Sequence, residues 1–249
     1  MEASLQEIQK KIDADPTNDE LYLEMGLELI YKYNRSDEAR YVLNKGLNYN
    51  PFNGRLHHRR GRKYMSVGRY VESLADIVMA SRLDAEDHEH WYYQGVAAAL
   101  AGFYQIAADA FVRAIELMKR HGVDEWVACV EWLWYTYTRM GEMDKAAAIV
   151  ATVDEDTPCI ERSLSYKRKV LLYNGTIKPE EFLDRETIKT RDRPELYLIG
   201  ELYGLGNYYC TMGQPEKGIP LLKECREVPT WHECFAYQQC CNDLAAMGL

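Results

Sequence analysis

The residues best suited to chemistry lie near the C-terminus, where a histidine and several cysteines are concentrated. They are Cys225, His232, Cys234, Cys240 and Cys241. Thiolates and imidazoles are the ligands that zinc prefers, so a metal site is the first hypothesis to test. The spacing argues against it, because there is no C-x-x-C pair and a helix over 231–247 places Cys234 and Cys241 on one face and Cys240 on another. We therefore predict buried thiols, with no metal and no cofactor.

Two further patterns could indicate an active site. The stretch "GELYGLGNYY" carries Gly200, Gly204 and Gly206, but no strand precedes it, and its flanks have a helical pattern. Close helix packing explains these glycines better than a phosphate-binding loop does. The histidines of "HGVDEW" and "DHEHW" stand beside acids at predicted exposed helix starts, and no cysteine has a base and an orienting acid that the sequence identifies. We predict that the protein is not an enzyme.

A basic cluster, "GRLHHRRGRKY" at residues 54–64, is the most informative polar segment. If the segment is helical, Arg55, His58 and Arg62 stand at i, i+3 and i+7 and share one face. Arginines on one face offer charge-assisted hydrogen bonds to a carboxylate. The alternative is a solvated face whose positive charges offset neighbouring acids, and both interpretations stay open.

The positions of small and aromatic residues show how these segments are arranged. Residue classes recur at an offset of 34 residues between the segments "HHRRGRKYMSVGRYVESLADIVMAS" and "WYYQGVAAALAGFYQIAADAFVRAI". A repeat of this length indicates stacked supersecondary units. The same pattern appears once upstream and, with more variation, three times downstream. The matched pairs are Gly61 with Gly95, Tyr64 with Ala98, Gly68 with Gly102, Tyr70 with Tyr104, Ile77 with Phe111 and Ala80 with Ala114.

The pattern resembles the tetratricopeptide repeat family, whose unit is a helix, a turn and a second helix. The third unit is the most complete, although Lys119 replaces the closing proline of the family. The resemblance implies an all-α fold, a right-handed α-solenoid of stacked antiparallel helix pairs with about fourteen helices and no sheet. The residues that carry it are Trp91, Gly95, Tyr104, Ala107, Phe111 and Ala114.

The repeats divide the chain into three parts. We expect an N-terminal capping helix at 1–17, about six helix pairs at 18–230 and a C-terminal capping helix at 231–249. The fifth pair, about 161–194, is degenerate because its second helix, "PEEFLDRE", is short. Ser4 and Glu7 have the spacing of a capping box, which predicts the start of the first helix.

The resemblance also implies a concave groove lined by the first helices of the pairs. Its best-defined ligand mode, a carboxylate clamp, uses lysine and asparagine in the first unit, where this chain has Leu23 and Leu27. That mode is therefore not carried over. Arginine, tyrosine and asparagine still suit an acidic peptide or a C-terminal carboxylate. The predicted groove residues are Arg55, His58, Arg62, Tyr92, Tyr135, Lys169, Tyr203 and Asn207.

Composition limits the classes of partner. The net charge of -9 argues against nucleic acid and anionic membranes, and no apolar run is long enough to span a bilayer. The polar, acidic start has no features of a targeting signal, and we expect a cytoplasmic protein. We predict a non-enzymatic scaffold that binds a protein or peptide in its groove. One alternative is a small-peptide-sensing regulatory receptor that acts through a partner chain, and a third is a thiol- or metal-dependent enzyme.

The cysteine pattern predicts free thiols and no bound zinc. Seven cysteines spread over helical segments are typical of a reducing compartment rather than of a disulfide framework. Thiol titration of the denatured protein should count seven thiols, and elemental analysis after dialysis should find no zinc. One zinc per chain would contradict this prediction.

Overall fold

The computed structural model describes residues 2–249, which form two compact units. The first unit ends at Ala101, and the second runs from Gly102 to Leu249. Every regular element in the described residues is a helix, which confirms the predicted all-α class. The elements are α1 Ala3–Ala14, α2 Asp19–Tyr31, α3 Ser36–Tyr49, α4 Gly54–Met65, α5 Tyr70–Leu83, α6 His88–Leu100, α7 Tyr104–Arg120, α8 Trp126–Arg139, α9 Met143–Val150, α10 Leu164–Tyr173 preceded by a 3₁₀ turn, α11 Pro179–Phe182, α12 Arg185–Lys189, α13 Pro194–Thr211, α14 Pro215–Glu227 and α15 Phe235–Ala246.

In the first unit, successive helices pack against each other across short turns. The first helix, α1, buries Leu5, Ile8 and Ile12, which lie one turn or two apart on one face, against Tyr22 and Met25 of α2. Helices α2 and α3 pair, as do α4 and α5, and α6 follows α5. Each helix therefore buries one apolar stripe that it could not bury alone.

Glycines at the helix crossings set the distance between paired helices. A Cβ atom on Gly61 of α4 would lie 2.8 Å from Ile77 Cδ1 of α5, and one on Gly46 of α3 would lie 2.9 Å from Tyr22 Cβ of α2. Real Cβ atoms do not approach so closely, so the helices could not pack at this distance with a larger residue.

The second unit contains α7 to α15 and is less regular. Helices α8, α10 and α13 contact each other in that order, α9 packs on α8, and α14 packs on α13. Between α10 and α13, where a long second helix would complete the pair, stand only the short helices α11 and α12. Phe182 at the end of α11 is fully buried and joins the core around Val130, Trp134 and Leu172.

Two predicted helix starts are wrong. The first helix begins at Ala3, so Ser4 lies inside it and makes no cap; its hydroxyl instead contacts the Tyr33 hydroxyl at 2.8 Å. The last helix begins at Phe235 rather than 231, because the backbone at Trp231 has a φ of 62°. Cys234 therefore precedes the helix that carries Cys240 and Cys241.

The glycine-rich stretch at 200–206 lies within the continuous helix α13, which confirms the prediction of helix packing. A Cβ on Gly204 would lie 2.7 Å from Lys169 Cγ, and one on Gly206 would lie 2.9 Å from Leu222 Cδ2. Within residues 2–249, no helix has both the length and the apolar character needed to cross a bilayer.

The closest approach of two helix backbones predicts a large effect of one methyl group. A Cβ on Gly218 of α14 would lie 2.5 Å from the backbone oxygen of Gly206 in α13, so Gly218→Ala must push two helices apart. We expect a loss of about 1–3 kcal/mol in the free energy of unfolding, measured by urea denaturation.

The matched control is Gly54→Ala at the start of α4. Its nearest neighbour would be Leu83 Cβ at 3.4 Å, which is an ordinary contact. This variant should change the free energy of unfolding by less than about 0.5 kcal/mol. Equal effects of the two substitutions would contradict the packing argument.

Candidate functional site

Helix α4 of the first unit presents the predicted basic cluster. It starts at a cap in which the Asn53 side chain accepts a hydrogen bond from the Leu56 N–H at 3.1 Å. Arg55 is exposed and donates to Glu20 at 2.8 Å, and the Arg62 guanidinium carbon lies 4.4 Å from the centroid of the Tyr93 ring. Both predicted arginines therefore reach the surface of the unit, each beside a partner from another helix.

Two neighbouring basic residues have a structural role that the sequence interpretation missed. Arg60 donates to both carboxylate oxygens of Asp76 on α5, at 2.7 and 2.6 Å, and His57 Nδ1 lies 2.9 Å from the same group. Burial alone would raise the pKa of Asp76, but these two partners hold it below its usual value. The sequence does contain a signal of this role, because Asp76 is an acid within the largely apolar segment of α5 and needs a partner when it is buried.

His58 does not provide the third positive charge that was predicted for this face. Its side chain is buried, its ring lies 4.8 Å from that of His90, and its Nε2 is 3.9 Å from Glu89. Burial, followed by the charges of His90 and Arg62, lowers the pKa of His58 to about 2. The imidazole is therefore neutral at pH 7, and the expectation of a cationic groove contact here is wrong.

In the first unit, a depression of about 450 Å³ lies beside the basic helix. Both charge signs meet there, since its lining contains Arg55 and Arg59 together with the acids Glu20, Asp84, Asp87 and Glu89. The predicted residue Tyr92 is half-buried on α6, with its ring 5.1 Å from that of Tyr93. Acids outnumber arginines in this lining, so the local field is not the strongly positive one that the basic segment suggests.

In the second unit, the four predicted groove residues are almost completely buried. Tyr135, Lys169, Tyr203 and Asn207 are each exposed by 2% or less. Lys169 Nζ lies 2.9 Å from Glu131 of α8, but Lys169 also lines the open cleft beside the start of α15. The expectation that Tyr135, Tyr203 and Asn207 form open groove walls is wrong, because α8, α10 and α13 approach closely enough to bury them.

The carboxylate of Asp243 on α15 lies among these buried side chains. It accepts a hydrogen bond from the Tyr203 hydroxyl at 3.0 Å, lies 2.7 Å from Arg139 Nη2 and is 3.5 Å from the Tyr135 hydroxyl. Arg139 also donates to Asn207 Oδ1 at 3.0 Å. The sequence analysis did not predict this cluster of Asp243, Arg139, Tyr135 and Tyr203. The available signal was that Asp243 is the single charged residue of the segment 235–246.

Electrostatics in this centre follow from burial around one charge pair. Burial would lower the pKa of Arg139, but the Asp243 carboxylate outweighs it and raises that pKa. Burial, and then the charge of Asp243, raises the pKa values of Tyr135 and Tyr203 well above the usual value. Both tyrosines therefore stay protonated and act as hydrogen-bond donors.

The second unit also has an open cleft of about 640 Å³ next to the start of α15. Tyr166 of α10, Tyr197 of α13 and Phe235 of α15 line it, and Arg162 and Arg193 stand at its rim. Arg162 pairs with Glu125, and Arg193 lies over the Trp231 ring at 5.6 Å. An aromatic wall with arginines at its edge is typical of surfaces that bind peptides.

The C-terminal thiols form no metal-binding arrangement in the described residues. No three side chains of histidine, cysteine, aspartate or glutamate converge anywhere in residues 2–249. Cys225 and Cys240 are fully buried, and the hydrogen bond to Cys240 and burial raise the pKa of Cys225. A protonated, inaccessible thiol is a poor nucleophile and a poor ligand.

The buried neutral His58 predicts a pH dependence of stability. Its pKa of about 2 in the folded chain is below the value of about 6.5 expected on unfolding, so the unfolded state binds the extra proton. His58 therefore contributes full stability above pH 6.5, and this contribution falls as the pH drops from there toward 2. Replacing it by asparagine should flatten the decline in the free energy of unfolding between pH 7 and pH 4.

Urea denaturation at several pH values measures this slope. His121→Asn at an exposed position is the matched control and should keep the wild-type slope. An unchanged slope in His58→Asn would contradict the prediction, because it would show that folding does not change the pKa of His58.

Comparison with known proteins gives the same fold. No known family and no curated protein matches the sequence. Among solved structures, a tetratricopeptide repeat protein from Parabacteroides merdae matches with a TM-score of 0.62 at 16% identity, over 96% of this chain and 90% of its own. YrrB, described as a TPR protein with an unusual peptide-binding site, matches with a TM-score of 0.55 at 15% identity, over 97% and 98%. MamA matches with a TM-score of 0.51 at 20% identity, over 84% and 90%. These likenesses, with the order of the helices, show that the chain has the tetratricopeptide repeat fold.

Proposed function

We propose that the protein is a non-enzymatic, cytoplasmic scaffold that binds a peptide segment of a partner protein. The observation that carries this proposal is the open cleft of the second unit, where three aromatic rings and two arginines surround about 640 Å³. A volume of this size accommodates one or two large side chains. YrrB, which shares the fold, is described as having a peptide-binding site.

The cleft suits a peptide that carries an apolar side chain next to an acidic group. Tyr166, Tyr197 and Phe235 supply rigid contact area at a low cost in conformational entropy. Arg162 and Arg193 are largely exposed at the rim, with side-chain exposures of 69% and 59%, and can reach a carboxylate above the cleft. Because water and neighbouring acids screen them, they contribute selectivity and association rate more than affinity.

The arginines of α4 provide a second contact surface for the same function. Arg55 is exposed beside Glu20, and the half-buried Arg62 lies over the ring of Tyr93, whose neighbour on α6 is Tyr92. The acids that line the depression beside Arg55 make this surface less selective for an acidic ligand than a purely basic groove. We therefore place the main contact in the cleft of the second unit.

A random-peptide library selected on the intact chain tests the function. Selected peptides should combine an aromatic or aliphatic residue with an acid and should bind more weakly as the salt concentration rises. Replacing both Arg162 and Arg193 by alanine should reduce their affinity about five- to thirty-fold, which corresponds to about 1–2 kcal/mol. Fluorescence anisotropy with a labelled selected peptide measures the change.

Two double variants act as controls. Lys217→Ala with Lys223→Ala removes two exposed charges from α14, outside the cleft, and should leave the affinity unchanged. Arg55→Ala with Arg62→Ala reports on the surface of the first unit. If only this second pair weakens binding, the main contact lies in the first unit, and if the library yields no binder, the proposed function is wrong.

A further inference from the structure

The C-terminal helix presents one face to the inner helices of the second unit. Phe235, Gln239 and Asp243 are spaced four residues apart on α15 and therefore share that face. The Phe235 ring lies 6.0 Å from that of Trp132, and Asp243 lies 2.7 Å from Arg139. The residue nearer the N-terminus of α15, Phe235, contacts the one nearer the N-terminus of α8, Trp132, and the later residues Asp243 and Arg139 also contact each other. The two helices therefore run in the same direction.

This contact has the chemistry of a ligand seated in a recognition site. A helix that only covers a hydrophobic end packs through apolar side chains, whereas this face buries Gln239 and Asp243 at 1% and 5% exposure. The receiving side supplies three groups from two helices to a single carboxylate: Arg139 and Tyr135 from α8, and Tyr203 from α13. Such a constellation fixes both the position and the register of a helix that carries one acid.

The fit of the chain's own helix is incomplete. Trp132 Nε1 on α8 and Gln239 Nε2 on α15 are buried, and neither finds a hydrogen-bond acceptor. An unpaired buried donor weakens a contact relative to one in which it is satisfied. A helix that places an acceptor near the Trp132 indole would therefore bind this site better than α15 does.

The connection before α15 is irregular. Helix α14 ends at Glu227, and the segment from there to Phe235 contains no regular helix. Within it, Trp231 is 42% exposed and has a positive φ. A second face of α15 carries the fully buried residues Cys240 and Leu244, and the Cys240 thiol donates to the Leu222 backbone oxygen of α14, so any replacement must supply small or apolar residues there.

We propose that α15 is a built-in occupant of a helix-binding site on α8 and α13, and that a partner protein binds there by displacing it. The partner segment is an amphipathic helix with an aromatic residue at its first position, small or aliphatic residues at the sixth and tenth, and a carboxylate at the ninth. Arg139, Tyr135 and Tyr203 bind the carboxylate, and Trp132 contacts the aromatic ring. The inference goes beyond the proposed function, because it requires no ligand in the open cleft. The two sites share Phe235, so displacement of α15 would also remove one wall of the cleft.

A labelled synthetic peptide of residues 231–249, under reducing conditions, tests the site in the full-length chain. Wild-type protein should bind it weakly, because α15 competes. Asp243→Ala in the protein weakens the resident helix while leaving the receiving residues intact, and the peptide should then bind at least ten-fold more tightly. The same peptide with alanine in place of Asp243 should bind the Asp243→Ala protein no more tightly than the wild-type protein. A protein that carries both Arg139→Ala and Asp243→Ala should also bind the unchanged peptide no more tightly than the wild-type protein.

Hydrogen exchange in the wild-type protein decides the matter even if the variants fold poorly. The amides of α15 should exchange faster than those of α8 and α13, which indicates opening of α15 alone. Exchange of α15 at the same rate as α13 would show that it is an integral part of the core and would overturn the proposal. Peptide binding of equal strength to the wild-type and Asp243→Ala proteins would also overturn it.

Two further readouts separate this proposal from other possibilities. Replacing Arg162 alone by alanine leaves the contact between Arg193 and Trp231 in place and should not change the affinity of the peptide, so failure of the cleft and failure of the helix site are distinguishable. Sedimentation of the Asp243→Ala protein should show monomers. A dimer that dissociates on addition of the peptide would identify the occupant as a second copy of the chain and would overturn the assignment to a partner protein.

Discussion

The structure depends on the close approach of paired helices at positions that have no side chain. At Gly61 the space for a Cβ is taken by Ile77, at Gly46 by Tyr22 and Leu56, and at Gly206 by Leu222. Protein interiors are packed as densely as organic crystals, so each contact fixes the separation of two helices to within tenths of an ångström. Within each unit, this separation decides which side chains on the first helices of the pairs remain at the surface.

In the second unit, the close packing brings charged groups inside, and each of them has an opposite partner. Lys169 pairs with Glu131. Arg139 pairs with Asp243, whose carboxylate also contacts the hydroxyl groups of Tyr135 and Tyr203. Removing charges from water is costly unless they are paired and hydrogen-bonded, which explains why the acid of α15 meets an arginine and two hydroxyl groups. Tyr135 and Tyr203, which a repeat alignment assigns to an open groove, thus contact the last helix, whereas Lys169 lines the open cleft beside it.

Helix α4 shows how residues of one chemical type take different roles on different faces. Arg60 and His57 bind the buried acid of α5, His58 is enclosed as a neutral ring beside His90, and Arg55 and Arg62 face outward. A turn of 100° per residue separates these faces, so neighbours in the sequence meet different environments. The number of basic residues in a segment is therefore a poor measure of the charge that it offers to a ligand.

The sequence by itself determined the helical repeat, the turn positions and the role of the glycines in α13. These features are local: a period of about 3.6 residues marks a helix face, and a glycine in a turn or crossing marks a backbone constraint that neighbouring residues cannot replace. The degenerate fifth pair was also evident, since "PEEFLDRE" is too short for a full helix.

Only the tertiary structure decided which of the predicted groove residues are accessible, where the first and last helices begin, and where the open cleft lies. Tyr135 and Asp243 are 108 residues apart in the chain, and no local pattern indicates that they meet. Burial and the pKa shifts that follow from it depend on every helix that packs around a group, as the neutral His58 illustrates. Local periodicity determines the elements, whereas contacts between distant segments determine which of their faces can bind a partner.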